Sequence, residues 1–340
     1  MATRTDLRFA LLNSWQRNFP LVAEPFATIG AVCGADMGAR VDAGVDARTV
    51  LGHYRALLAD GAISRIGGVW GAGAGGAALL CAFAVPAGRL EAVAAQVSAH
   101  PGVNHNYERE HRHNLWFVIT GRDRGAVARM VDDLETQTGC TALRLRMRCA
   151  YRIDLGFDLR DELAASRQAT AQRVVPVEDA DVPLAQLVEG GLPLVERPFD
   201  LWADRLRWPR EQVPDTLQRW LRQGTLRRFG AIVRHHEAGF AHNAMTVFDL
   251  PDAVVDTFGA ALAGQNGVTL AYRRERVTGW PYNLYCMVHG RDRGAVLAAI
   301  ESGIERCGLG AFPRSVLFSV RRFKQTGARY FSALPEEVSA

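Results

Sequence analysis

The chain has 340 residues, enough for two domains or a few small ones, and its 48% apolar and 22% charged residues are those of an ordinary soluble globular protein. A formal charge of +4 and a pI of 8.8 suit an anionic ligand but fall short of the footprint of a dedicated nucleic-acid binder. Six cysteines, far apart and without CxxC, signal neither a disulfide framework nor a cysteine zinc site, and the first twenty residues hold no secretory apolar run, so the cytoplasm is the expected compartment.

In chain order, residues 25–62 read as an irregular helical pair whose second helix spans 46–59. Residues 66–88 follow without a single charge, long enough to span a bilayer on length alone, but seven of them are glycine, which weakens any helix. A repeat decides the matter. Pro20-Leu-Val-Ala-Glu-Pro-Phe26 returns as Pro193-Leu-Val-Glu-Arg-Pro-Phe199, and Asn114-Leu-Trp returns as Asn283-Leu-Tyr. Gly121-Arg-Asp-Arg-Gly-Ala-Val127 returns as Gly290-Arg-Asp-Arg-Gly-Ala-Val296, and the order never changes. The counterpart of the uncharged run, residues 229–251, holds Arg234, His235, His236, Glu237, His242 and Asp249, so a membrane span is excluded.

In the second copy, residues 198–226 carry apolar side chains at helical spacing, interrupted at Trp208-Pro209 and closed by Gly224, as two helices around a tight turn. Strands are predicted near 228–236 and 242–249, a helix near 252–264 and strands near 267–275 and 282–289. A helix near 292–305 and a strand near 313–322 complete the copy. The fold class is therefore α+β, a tandem duplication in which each copy is a winged helix-turn-helix followed by a ferredoxin-like βαββαβ unit. The division is 1–65 and 66–160 for the first copy, a polar linker 161–183 with some helix near 161–172, then 184–227 and 228–330, the last with the expected active site.

Alignment of the copies places Arg234, His235 and His236 opposite Gly71, Ala72 and Gly73, and Asn243 opposite Ala78. In the first copy the polar strand is instead Asn104-His105-Asn106-Tyr107-Glu108-Arg109-Glu110-His111-Arg112-His113. Strand alternation puts Arg228, Ile232, Arg234 and His236 on one face and Phe229, Ala231, Val233 and His235 on the other. His236 is then the better pocket candidate, and His235 can simply be hydrogen-bonded at the sheet end. No metal is expected, because the histidines lack ligand spacing and an acidic partner. The run Tyr272-Arg273-Arg274-Glu275-Arg276 reads equally as pocket wall or solvated edge. Phosphate-cradling GxGxxG and P-loop patterns are absent.

The order helix-turn-helix then ferredoxin-like unit resembles the Lrp/AsnC regulators. Longer strings point further. Arg227-Arg-Phe-Gly-Ala-Ile-Val-Arg-His-His-Glu-Ala-Gly-Phe-Ala-His-Asn-Ala-Met245 and Trp280-Pro-Tyr-Asn-Leu-Tyr-Cys-Met-Val-His-Gly290 resemble one subunit type of the siroheme decarboxylases. Val103-Asn-His-Asn-Tyr-Glu-Arg-Glu-His-Arg-His-Asn-Leu-Trp-Phe-Val118 and Tyr151-Arg-Ile-Asp-Leu-Gly-Phe-Asp158 resemble the companion type, so the chain looks like both fused. The resemblance implies removal of two acetate carboxylates from siroheme, giving 12,18-didecarboxysiroheme on the route to heme d1, with no cofactor beyond the iron that enters with the substrate.

Under that resemblance, carboxylates of the polyanionic substrate call for arginine forks, expected from Arg228, Arg234, Arg273, Arg274 and Arg276. His236, then His235, is the expected acid that protonates the carbon losing CO₂. Tyr272 and Asn243 orient carboxylates or relay protons, and Tyr282 joins the substrate-binding set. His105, Tyr107, Arg109 and His111 either close the second-copy site across the internal pseudo-dimer or are structural. The partners expected are siroheme and homologous subunits, without membrane or specific DNA. The alternatives are a transcription regulator and a siroheme or heme carrier. Against the regulator, the presumptive recognition helices offer only Arg219 and Arg222, and Arg48 and Arg55, as cations.

Overall fold

The computed structural model describes residues 4–36, 45–153, 174–233 and 242–332. The elements run α1 (Arg4–Ser14), α2 (Pro25–Asp36), α3 (Ala47–Ala59), β1 (Ile63–Trp70), β2 (Ala77–Phe83), α4 (Leu90–Ala99), β3 (Val103–Arg109), β4 (Leu115–Gly121), α5 (Arg124–Thr138), β5 (Leu143–Leu145) and β6 (Met147–Ile153). The second copy continues with α6 (Val182–Gly190), α7 (Pro198–Leu206), α8 (Gln212–Arg222), β7 (Leu226–Val233), β8 (His242–Phe248), α9 (Val255–Ala263), β9 (Val268–Arg274), β10 (Leu284–Gly290), α10 (Arg293–Cys307) and β11 (Arg314–Gln325). The helix considered at 161–172 lies outside the described residues. The uncharged run 66–88 is divided between β1 and β2, and among the described residues no helix is long and apolar enough to cross a membrane.

The repeated strings owe their local structure to the same chemistry. Asp123 caps α5 by accepting from the Ala126 amide at 2.7 Å, and Asp292 caps α10 by accepting from the Ala295 amide at 2.8 Å, a bond typically worth about 1 kcal/mol. Both helices end on a left-handed glycine, Gly139 or Gly308. The repeated asparagines are structural too: Asn114 exchanges two hydrogen bonds with the Val85 backbone, and Asn283 makes the equivalent pair with Leu250.

The modules sort by kind rather than by copy. One compact unit, 1–74 with 172–238, gathers the helical modules of both copies. There β1 and β7 pair antiparallel, with Gly67 opposite Gly230 and Ile66 opposite Ala231. Its core is aromatic: Phe19 meets Phe229 and Phe26 meets Tyr54 edge-on at 5.9 Å, and Trp70 meets Trp220 at 5.5 Å. The strand expected to open the second ferredoxin-like unit is therefore β7, paired with its own twin.

The other unit, 75–171 with 239–340, holds both βαββαβ repeats in a sheet ordered β5-β2-β4-β3-β11-β8-β10-β9-β6. β5 and β6 are consecutive pieces of one run, separated only by Arg146, so the sheet closes on itself as a barrel. The last strand of each repeat starts against its own β2 or β8 and finishes against the other repeat: β6 on β9, and the second half of β11 on β3. Alternation divides each strand. Leu79, Cys81 and Phe83 face α4 and α5, Leu284, Cys286 and Val288 face α9 and α10, and Leu80, Ala82, Met245, Val247 and Leu317 point into the barrel.

Candidate active site

One end of the barrel is sealed by rings. Trp116, Trp280 and Tyr285 are buried there, with Trp116 and Trp280 at 5.2 Å and the Trp280 indole donating to the Tyr285 hydroxyl at 2.7 Å. Tyr282 packs edge-on to Trp280 at 4.9 Å. His111 and His113 stack on each other and meet Trp280 edge-on at 5.2 and 5.6 Å. Tyr282 and His111 therefore belong to this floor, an aromatic cluster whose rings meet Trp280 edge-on.

Above the floor the inward positions turn polar. On β8, Asn243 is buried and accepts from the Ser319 hydroxyl of β11 at 2.9 Å. Its partner across β10 is His289, whose Nδ1 lies 2.9 Å from the Thr269 hydroxyl. On the other side of β11, Ser319 stands opposite Arg109 of β3. Arg109 is buried, donates to the Leu317 carbonyl at 3.0 Å and approaches the Met287 sulfur at 3.8 Å. Its guanidinium lies 5.8 Å from the Tyr107 ring, and His105 stacks on that ring at 6.2 Å. Thus His105, Tyr107 and Arg109 of the first copy share one wall with Asn243 of the second, because β11 crosses between the repeats.

Tyr272 and Arg274 form the second such pair. Arg274 lies 5.1 Å from the Tyr272 ring and 5.7 Å from Tyr285, and donates to the Leu145 carbonyl at 2.9 Å. Among the described residues no carboxylate pairs with Arg109 or Arg274. Burial pushes Arg109 down to about 10 and His105 down to about 4, lowers Arg274, and raises the Tyr107 and Tyr272 phenols. Arg109 and Arg274 are thus cations held in low dielectric with no carboxylate beside them among the described residues, the state an anionic ligand relieves.

Three of the expected arginines are placed elsewhere. Arg273 turns to the helix-facing side, where it pairs with Asp256 at 2.8 Å and Asp252 at 3.3 Å. Arg276, past the end of β9, pairs with Asp252 and Asp249 at 2.7 and 2.9 Å and donates to the Pro281 and Leu250 carbonyls. Both correct the expectation of a five-arginine pocket: alternation turns Arg273 away from Tyr272 and Arg274, and Arg276 lies beyond the strand that would have aimed it inward. Arg228 is buried in the helical unit, its fork on the Gln16 and Ala231 carbonyls at 2.8 and 3.2 Å. Arg234, His235 and His236 lie outside the described residues.

His289, Ser319 and Met287 were not singled out from sequence. His289 lay within a string quoted for its resemblance, and its alternation with Tyr285 and Met287 was the available signal. Among the described residues no three His, Cys, Asp or Glu side chains converge as a metal set.

A family profile for the AsnC-like ligand binding domain matches residues 74–151 and 237–324, and one for the siroheme decarboxylase NirDL-like HTH domain matches 184–227. The siroheme decarboxylase NirDL subunit of Paracoccus denitrificans (strain Pd 1222) is 38% identical over 330 residues, covering 96% of this chain and 98% of the relative. A crystal structure of the siroheme decarboxylase NirDL superposes with a TM-score of 0.66 at 28% identity, covering 96% of this chain and 94% of that one. The same enzyme in complex with an iron-uroporphyrin III analogue superposes at 0.65 and 28% identity, covering 97% and 95%. With a relative this similar along nearly its whole length, and with both repeats and a helical module matched, the chain belongs to the siroheme decarboxylase family.

Proposed function

We propose that the barrel chamber is the site of a carboxy-lyase that converts siroheme to 12,18-didecarboxysiroheme, a step toward heme d1. The observation that carries the proposal is the wall of Arg109, Tyr107, Asn243 and Ser319, cationic and without a carboxylate among the described residues, above an aromatic floor. A flat macrocycle bearing several carboxylates matches both features. The binding of an iron-uroporphyrin III analogue by a relative supports a tetrapyrrole here.

The chemistry asks little of the protein. The bond between the acetate methylene and its carboxylate breaks, CO₂ leaves, and the electron pair spreads into the macrocycle, which acts as its own sink. One proton then reaches the methylene to make a methyl group. His236, with His235 second, is the proposed donor, because imidazole titrates near neutrality. Arg109 and Asn243 hold the carboxylates that are kept, and the surrounding protein excludes water from the carbanionic carbon. Anaerobic incubation of the purified chain with siroheme, followed by mass spectrometry of the extracted tetrapyrrole, is the test. Loss of two CO₂ per macrocycle is expected, and recovery of unchanged siroheme bound to protein would make the chain a carrier.

A further inference from the structure

The barrel carries the same design twice. Asn243 on β8 corresponds to Ala78 on β2, His289 on β10 to Thr120 on β4, and Tyr107 with Arg109 to Tyr272 with Arg274. The half around Ala78 lacks the asparagine and histidine of the other, and its entrance is glycine. A Cβ on Gly75 would stand 2.6 Å from the Phe331 ring. One on Gly76, whose φ of +63° already favours glycine, would stand 2.7 Å from Cβ and Cδ1 of Tyr330.

The segment after β11 is tied into this place by its backbone. The Thr326 amide donates to the Asn104 carbonyl at 2.7 Å, and the Arg329 amide donates to the Thr120 hydroxyl at 3.2 Å. The chain thus passes from β3 across β4 to the head of β2. The Tyr330 hydroxyl comes near enough to Tyr272 to add to the effect of burial on that phenol, against the pull of Arg274.

We propose that residues 326–332 are a fixed wall: Tyr330 and Phe331 stand over the head of β2 at Gly75 and Gly76, so that one chain holds one tetrapyrrole, on the Asn243 side. On this basis the glycines at 75 and 76, both held at positive φ, also leave the room that the chain's own aromatic pair occupies. The absence of that asparagine and histidine from the first copy and the gain of an aromatic tail are two parts of one change. Tyr330 is then a specificity residue, which denies the substrate Arg274 and leaves it Arg109. The inference rests on the siroheme reading of the chamber.

The test is an anaerobic Soret titration of the full chain with siroheme, with hydrogen exchange of the 326–332 backbone followed in parallel. One siroheme per wild-type chain is expected, and two for Tyr330→Ala/Phe331→Ala, with the Thr326 and Arg329 amides equally protected with and without ligand. Two per wild-type chain overturns the proposal, as does one per variant chain whose cooperative melt is intact. Protection lost on adding siroheme also overturns it, because the tail would then be a lid. If the double variant does not fold, Tyr330→Ala alone serves, since Phe331 still covers Gly75. If neither protein binds siroheme, the substrate reading fails, and exchange alone decides the wall: protected amides uphold it and unprotected amides end it.

Discussion

Arg109 and Arg274 make the same hydrogen bond from opposite halves of the barrel, Arg109 to the Leu317 carbonyl at 3.0 Å and Arg274 to the Leu145 carbonyl at 2.9 Å. Each acceptor sits on the strand that carries one repeat over to the other, so each guanidinium is held by the segment that joins the copies. Only the Arg109 half keeps Asn243 and Ser319 beside it. A charge-assisted bond to a carboxylate contributes about 1.5–3 kcal/mol, so Arg109→Ala is expected to weaken siroheme binding by about tenfold or more in a Soret titration. Arg274→Ala should change it little. Equal losses would put the macrocycle across both halves and contradict a fixed tail.

Arg273 and Arg276 behave as structural residues. Their carboxylate partner Asp252 is 67% exposed, which limits the ion pairs to less than about 1 kcal/mol. The carbonyl bonds of Arg276 tie the turn before β10 and contribute about as much again. Arg276→Ala is expected to lower Tm by several degrees while leaving siroheme affinity unchanged. A weakened Soret titration with an unchanged melt would return Arg276 to the substrate.

Much of this was legible in the sequence. The Gly-Arg-Asp-Arg-Gly-Ala-Val strings announce two capped helices, and the strand and helix order of each βαββαβ repeat follows from periodicity. What periodicity does not encode is the partner of a strand. β7 has the alternation of a barrel strand, yet its glycine-flanked pairing with β1 takes Arg228 into the other unit. β11 is one uninterrupted apolar-polar run, and nothing local marks the point near Phe318–Ser319 where it leaves β8 for β3. The wall that unites Arg109 with Asn243 depends on that transfer. For Arg273 and Arg274 the signal was present, because adjacent strand residues face opposite ways.

DNA binding should be weak and indifferent to sequence. On α8, Arg219 is drawn to Asp181 at 2.5 Å and Glu178 at 3.9 Å, and on α3 Arg55 donates to the Leu194 carbonyl at 2.8 Å. At least two of the four cations on the presumptive recognition helices are therefore engaged within the helical unit. Anisotropy titration at physiological salt should give a Kd no tighter than about 10⁻⁶ M, the non-specific range. Nanomolar, sequence-selective binding would establish a regulatory role.

Acid should unfold the barrel through its histidines. Burial holds His105 near 4, and burial also lowers His111 and His113, the latter with His111 and Arg112 adding to it. Because these rings are neutral in the fold and protonate near 6.5 when unfolded, the unfolded state binds more protons below that value. Their contribution is whole above pH about 6.5 and is lost as the pH falls toward 4. For His105 the loss reaches up to about 3 kcal/mol at 1.36 kcal/mol per unit. Urea midpoints measured from pH 7 to pH 4.5 should fall, and His105→Asn should flatten the slope. An unchanged slope would mean that His105 is solvated in the native protein.

The identity of the proton donor is the sharpest question, and three histidines bear on it. His236 and His235 are the proposed donors, and His289 stands opposite Asn243 with Thr269 on its Nδ1. A positioned general acid contributes about 10²–10⁴ in rate. His236→Ala is therefore expected to cut single-turnover decarboxylation by that factor while siroheme binding persists. His235→Ala should cost less. His289→Ala should act on affinity through the Asn243 wall, raising Kd with a smaller change in the chemical step. A larger loss in His235→Ala would make His235 the acid. If the chemical step instead collapses only in His289→Ala, the proton comes from the barrel wall, and His236 is not the acid.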